Sequence, residues 1–193
     1  MDSNVVFPTS EQIPEAAKVD ASRWARQYLV NGEIRTCSQG RTVLSPICVR
    51  KADGSLERVA LGETPMLTAA EALEALAAAR KAWDSGRGEW PRMRVARRIG
   101  CVERFAELMP KVREDVVRLL MWEIGKSRKD AESEFDRTVQ YVRDTVEAVK
   151  QLDRDCSRFV MEQGFIGQIR RSPLGVVLCM GPFNYPLNRP TRR

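Results

Sequence analysis

Ser172-Pro-Leu-Gly-Val-Val-Leu-Cys-Met-Gly-Pro-Phe-Asn-Tyr-Pro-Leu-Asn188 is the stretch on which the fold turns. After Pro173 the run to Gly181 is apolar on both alternating faces, where a half-solvated strand would be apolar on one. Such a strand is covered by helices on both sides of a parallel sheet. Pro182-Phe-Asn-Tyr-Pro186 follows as a rigid turn presenting one amide side chain. In open α/β sheets, ligands bind just past the carboxyl ends of strands like this one. A parallel strand needs neighbours, and this one arrives close to Arg193. The reading is therefore an α/β fold whose sheet is incomplete, with residues 172–188 as the first parallel strand and its turn.

Upstream, Arg158–Gln163 and Phe165–Arg171 alternate like a hairpin around Gly164, which defines a segment at 158–171. Four helices precede it. Thr68-Ala-Ala-Glu71 is a capping box at the start of the first, in which each side chain satisfies a backbone donor of the other residue. That helix reaches about Trp83 and ends at Asp-Ser-Gly-Arg-Gly88. Pro91 suits the first turn of the second, expected to run to Met109. Pro110 opens the third, with Val112, Val116, Leu119 and Leu120 on one face and Gly125 as its stop. The fourth covers Ser127 to Leu152. Its stripe of Ala131, Phe135, Thr138, Val139, Val142, Val146 and Val149 has the helical period of a core-facing surface.

At the amino-terminal side, residues 1–24 read as a polar arm containing Pro8 and Pro14. In Gln27-Tyr-Leu-Val-Asn-Gly-Glu-Ile-Arg35, Asn31-Gly32 can take the two positive-φ positions of a type I′ turn, so a hairpin is expected. Thr42–Arg50 and Leu56–Ala60 read as two further strands joined by the turn Ala52-Asp-Gly-Ser55. Residues 25–157 thus hold a small antiparallel sheet followed by helices.

Composition narrows the chemistry. The 193 residues contain no histidine, which removes Ser-His and Cys-His pairs and the commonest metal ligand. Cys37, Cys48, Cys101, Cys156 and Cys179 are scattered, with neither C-x-x-C nor zinc-ligand spacing, so no metal site is expected and buried thiols are. The net charge of +6 invites a nucleic-acid reading, but half of it is Arg189, Arg192 and Arg193. Elsewhere acids and bases are mixed, with no basic stripe, so no nucleic-acid partner is expected. No apolar run approaches the ~20 residues of a membrane span and no secretory signal opens the chain, which points to the cytoplasm and to no membrane partner.

The Ser172–Asn188 stretch resembles the P-x-G-V-V-x-x-x-x-P-[WF]-N-[FY]-P segment of the aldehyde dehydrogenase superfamily. Phe183-Asn184-Tyr185, Glu134-Phe-Asp-Arg-Thr138, Leu119-Leu-Met-Trp-Glu-Ile-Gly-Lys126 and Tyr28-Leu-Val-Asn-Gly-Glu33 are similar to the NADP-dependent, non-phosphorylating glyceraldehyde-3-phosphate dehydrogenases. Other branches also use Pro-Phe-Asn. The resemblance spans residues 25–188 and implies that the chain is the amino-terminal part of a nucleotide-binding domain, with 158–171 an oligomerisation hairpin.

The resemblance also implies a reaction: an aldehyde, NADP or NAD, and water give an acid and the reduced cofactor. Asn184 would donate its side-chain N–H to the developing oxyanion, where a fixed neutral donor is wanted because the charge appears only in the transition state. Its other reading is a turn residue capping a following helix. Met180, Gly181, Pro182 and Phe183 would lie against the cofactor. Arg137, aided by the Tyr185 hydroxyl, would hold the phosphate of a phosphorylated aldehyde. Arg137 has a second reading, as a solvated helix face or a partner of Asp136 or Asp144.

Cys179, inside the strand, is not read as the nucleophile; the resemblance places the nucleophilic cysteine, the general-base glutamate and an NADP-binding lysine beyond residue 193. After Asn188 the tail 189–193 departs from the pattern, which reads as a frameshift, a premature stop or a gene-model error. On this reading the chain alone is inactive and poorly stable, with the Val176–Met180 strand exposing apolar faces. The rival reading is a non-catalytic fragment or pseudoenzyme acting by association with a second subunit, and a homo-oligomer is the expected assembly.

Overall fold

The computed structural model describes residues 7–187. Asn188 and the tail 189–193 lie outside the described residues. The elements are β1 (Gln27–Val30), β2 (Glu33–Thr36), β3 (Gly40–Arg50), β4 (Leu56–Pro65), α1 (Ala69–Trp83), α2 (Glu89–Arg92), α3 (Val95–Leu108), α4 (Arg113–Ile124), α5 (Arg128–Cys156), β5 (Val160–Glu162) and β6 (Phe165–Gly167). The fold class is α/β, with three antiparallel two-stranded ladders: β1–β2, β3–β4 and β5–β6.

The chain divides into two compact units. The first comprises the residues up to Glu74 together with Arg113–Ser133. Its β1–β2 hairpin turns at Asn31 and Gly32, with φ of 53° and 79°, the two left-handed positions a type I′ turn demands. Arg26 joins the hairpins: its N–H donates to the Glu63 carbonyl at 3.0 Å and its own carbonyl accepts from Cys37 at 2.8 Å.

The β3–β4 pair is longer than the sequence reading and carries an irregularity at Ser45-Pro46-Ile47, where Leu44 faces Ala60 and Cys48 faces Arg58. Pro46 has no N–H to give to a ladder, and bulges are where strands accommodate proline. Arg58 satisfies the carbonyls set loose there, donating to Ser45 at 2.6 Å and Leu44 at 2.9 Å. The wholly buried Ser45 hydroxyl donates to the Trp122 carbonyl at 2.5 Å and accepts from the Ile47 N–H at 3.0 Å, fastening β3 to α4.

On α4, Val117 and Leu120 are buried, while Val112 is exposed. This corrects the expectation for Val112, while Val116 and Leu119 are half-buried and Leu120 is buried as the expected face requires. Met109–Val112 is a 3-10 turn, and its tighter winding shifts the helical phase before α4 begins at Arg113. Gly125 stops α4 with φ of 74°, its N–H returning to the Met121 carbonyl at 3.0 Å.

The second unit comprises Ala75–Val112 and the chain from Glu134 onward. The expected second helix is split: α2 is a single turn, and Met93 and Arg94 are extended before α3. Phe135, Thr138, Val139, Val142 and Val146 of α5 are buried as their spacing requires, whereas Val149 at the end of the stripe is exposed. The β5–β6 hairpin is shorter than read and turns at Gln163 and Gly164, with φ of 47° and 86°.

Burial corrects one expectation, that of buried thiols, and leaves open the apolar faces expected of an incomplete sheet. The run Leu174–Met180 joins no ladder among the described residues, and Leu174, Val177, Leu178 and Met180 are largely exposed. Its sequence has the apolarity of a doubly covered strand, but only neighbouring strands and helices supply the covering. For the same reason Cys179 is exposed, and Cys101 on α3 is exposed too; of the five thiols Cys37 alone is buried, and Cys48 and Cys156 are intermediate.

Candidate functional site

The candidate site lies in the second unit, at the junction of the extended 172–181 segment and the turn that follows. Tyr185 donates its N–H to the Pro182 carbonyl at 3.4 Å, which closes a four-residue turn with Phe183 and Asn184 at its centre. Prolines at 182 and 186 fix φ at both ends of it. Asn184 and Phe183 therefore face outward: both are exposed, Phe183 at 83%. Met180 and Gly181 are also exposed, and Pro182 is half-buried.

The far end of the turn is held by a residue the sequence reading did not single out. The Leu187 N–H donates to Glu134 Oε1 at 3.3 Å, and Glu134 is only 3% exposed on α5. One turn further along, the buried Thr138 hydroxyl donates to the Glu134 carbonyl at 2.8 Å. A signal for Glu134 was available: it is an acid beside the buried stripe of Ala131, Phe135 and Thr138.

Arg137 is exposed on the same helix, three residues after Glu134. Residues at that spacing are neighbours on a helix surface. Arg137 thus lies one helical turn from the carboxylate that holds Leu187, and Tyr185 lies two residues before Leu187 in the chain. The structure places six of the predicted site residues, Met180 to Tyr185, on one short segment, and places Arg137 on the helix that segment touches. A separate cavity of about 690 Å³ in this unit is lined by residues such as Trp90, Ile99, Val146, Leu152 and Arg170, not by the predicted site.

What the arrangement offers chemically is a neutral amide donor on a constrained turn, apolar surface beside it from Met180 and Phe183, the Tyr185 phenol on the same turn, and Arg137 on the helix that Leu187 bonds. Among the described residues no helix is long and apolar enough to cross a membrane.

Comparison with known proteins gives this geometry its family. The model of the aldehyde dehydrogenase family matches residues 53–193, and the chain belongs to that family. It is 29% identical over 171 residues to the NADP-dependent glyceraldehyde-3-phosphate dehydrogenase of Zea mays, covering 84% of this chain and 32% of that protein. It is also 29% identical over 131 residues to malonate-semialdehyde dehydrogenase 2 of Shouchella clausii, covering 68% and 26%. The crystal structure of NADP-dependent glyceraldehyde-3-phosphate dehydrogenase from Bacillus halodurans complexed with NADP superposes with a TM-score of 0.66 at 27% identity, over 86% of this chain and 33% of that one. The chain spans between about a quarter and a third of the length of these curated relatives.

Proposed function

We propose that this chain carries the oxyanion-binding turn of an NADP- or NAD-dependent aldehyde dehydrogenase that oxidises an aldehyde, glyceraldehyde 3-phosphate, to its acid through a thioester. The observation that carries this reading is the Pro182–Tyr185 turn, which holds the Asn184 amide outward between two prolines. A donor fixed in advance toward an oxygen that becomes charged only in the transition state lowers the barrier without reorganising at that moment.

The residues present fit one end of the cofactor. Exposed Met180 and Phe183, with Gly181 between them, offer apolar surface against which a planar ring can lie, and Asn184 adds a neutral donor. When bound, NADP or NAD supplies the hydride acceptor. The chain's own residues orient: Asn184 bonds the carbonyl oxygen of the aldehyde, while Arg137 and the Tyr185 hydroxyl hold the phosphate at its far end. A cation suits that position because a guanidinium can make two parallel hydrogen bonds to phosphate oxygens. The similarity to the maize enzyme supports the phosphorylated substrate, since that protein is named for glyceraldehyde 3-phosphate and NADP.

We place the nucleophilic cysteine and the base that activates water outside these residues, so the isolated chain does not turn over. Pure, mass-verified protein given NADP and glyceraldehyde 3-phosphate yields no reduced nicotinamide; measurable turnover would overturn that assignment.

A second reading has its own observation. Phe159, Met161, Phe165, Ile166 and Ile169, on and beside the β5–β6 hairpin, are each about 70% exposed or more. Large apolar side chains are exposed on both faces of this hairpin, Met161 and Ile166 paired on one and Phe165 on the other, which supports an interaction site there. On this reading the hairpin associates with a second subunit, its own copy in a homo-oligomer or an intact family member, whether or not the chain takes part in catalysis.

A further inference from the structure

Glu134 is a carboxylate placed where water scarcely reaches it. A buried carboxylate is costly unless hydrogen bonds replace its hydration, so the groups that bond it are held firmly in return. One of those groups is the backbone N–H of Leu187, at 3.3 Å. The other end of that bond is α5, a helix of 29 residues. The Asn184 turn is therefore closed internally by the Tyr185-to-Pro182 hydrogen bond and tied on its far side, from the residue after Pro186, to α5.

We propose that Glu134 is a positioning residue for the Asn184 turn. By accepting the Leu187 N–H, its carboxylate fixes where the turn leaves off, and so fixes the direction in which the Asn184 amide points. This role rests on Asn184 acting as the oxyanion donor for its functional meaning, but the tie itself is a property of the backbone and is tested without any catalysis. Arg137 lies one turn along from the same carboxylate, so the helix that carries the proposed phosphate-binding cation also anchors the donor. One helix thereby sets the spacing between the two ends of the substrate.

Amide hydrogen exchange on the nitrogen-15-labelled chain tests the proposal. In the unaltered protein the Leu187 amide must exchange more slowly than an unprotected peptide amide; exchange at the unprotected rate overturns the proposal before any variant is made. Glu134→Met fills a similar volume without an acceptor oxygen, and Glu134→Gln keeps one. The expected result is that Glu134→Met speeds Leu187 exchange about ten- to a hundredfold relative to the Val142 amide within α5. Glu134→Gln stays within about threefold of the unaltered protein, and the Asn184 side-chain amide resonance moves in the Met variant and not in the Gln variant. Referring each rate to Val142 separates loss of the tie from general loosening of the helix. The proposal is overturned if Glu134→Met leaves the Leu187 rate unchanged relative to Val142, or if both variants speed it equally. If the tie is present but Asn184 proves to have no catalytic role, exchange stays protected while activity measurements fail, and the two failures are told apart.

Discussion

The Trp122 indole N–H donates to the backbone carbonyl of Ala17 at 2.6 Å, joining two residues 105 positions apart in the chain. Trp122 is buried and belongs to α4, while Ala17 closes a 3-10 turn of the amino-terminal segment. That segment has no buried residue of its own in its three short 3-10 turns, so its order depends on ties of this sort.

Trp122→Phe keeps an aromatic ring and deletes the donor. It should lower stability by about 1–2 kcal/mol, the cost of leaving a hydrogen-bonding group in a poorly solvated place without its partner. The check is a urea titration, with the midpoint reduced and the slope unchanged. An unaltered midpoint would show that the bond contributes nothing.

Glu71 gives the fold an acid-sensitive point. Its carboxylate accepts the Thr68 N–H at 2.7 Å and the Thr68 hydroxyl at 2.8 Å, while its own N–H donates to that hydroxyl at 3.2 Å. The Thr68 backbone N–H, followed by the hydroxyl, holds the Glu71 pKa below its ordinary value. A carboxyl lowered in the folded state binds its proton more weakly there than when unfolded. Its stabilising contribution is therefore present above the ordinary glutamate range and is lost as pH falls through the lowered value. Ala72, whose N–H donates to the Thr68 carbonyl, should lose hydrogen-exchange protection over that acid window. In Glu71→Gln the acid-dependent step should vanish; its persistence would assign the step to another group.

The hairpin makes a prediction about assembly. Phe165 is 79% exposed and Met161 71%. If this surface is an interface, Phe165→Ser should weaken self-association about tenfold or more, since burying a phenylalanine side chain is worth about 1.5–3 kcal/mol. Sedimentation over a range of concentrations reads this directly. Identical curves for both proteins would place any interface elsewhere.

The legible parts of this molecule are those whose signal is local. Asn31-Gly32 dictates a turn because few residue pairs accept two left-handed positions, and Thr68 with Glu71 announces a helix start because each side chain finds the other's backbone. The α5 stripe is equally plain, since a buried helix face repeats by geometry. The signals that failed depend on remote partners. Val117 replaced Val112 in the core because a 3-10 turn changed the helical phase. Cys101 and Cys179 read as buried thiols, yet both are exposed, because burial is decided by what packs on them. Within the site, Asn184 stood out because prolines flank it, whereas Glu134 acts through Leu187, a residue 53 positions away, and no short motif spans that distance.

Asn184 is the residue on which the functional account stands, and an exchange of segments tests it most directly. Residues 53–187 of this chain would replace the corresponding stretch of the Bacillus halodurans enzyme, and NADP reduction with glyceraldehyde 3-phosphate would be followed in the chimera with and without Asn184→Ala. The account predicts an active chimera whose kcat falls about 10²–10³-fold on Asn184→Ala, the loss typical of removing one oxyanion donor, with KM little changed. A chimera that turns over equally well with alanine at that position would contradict it.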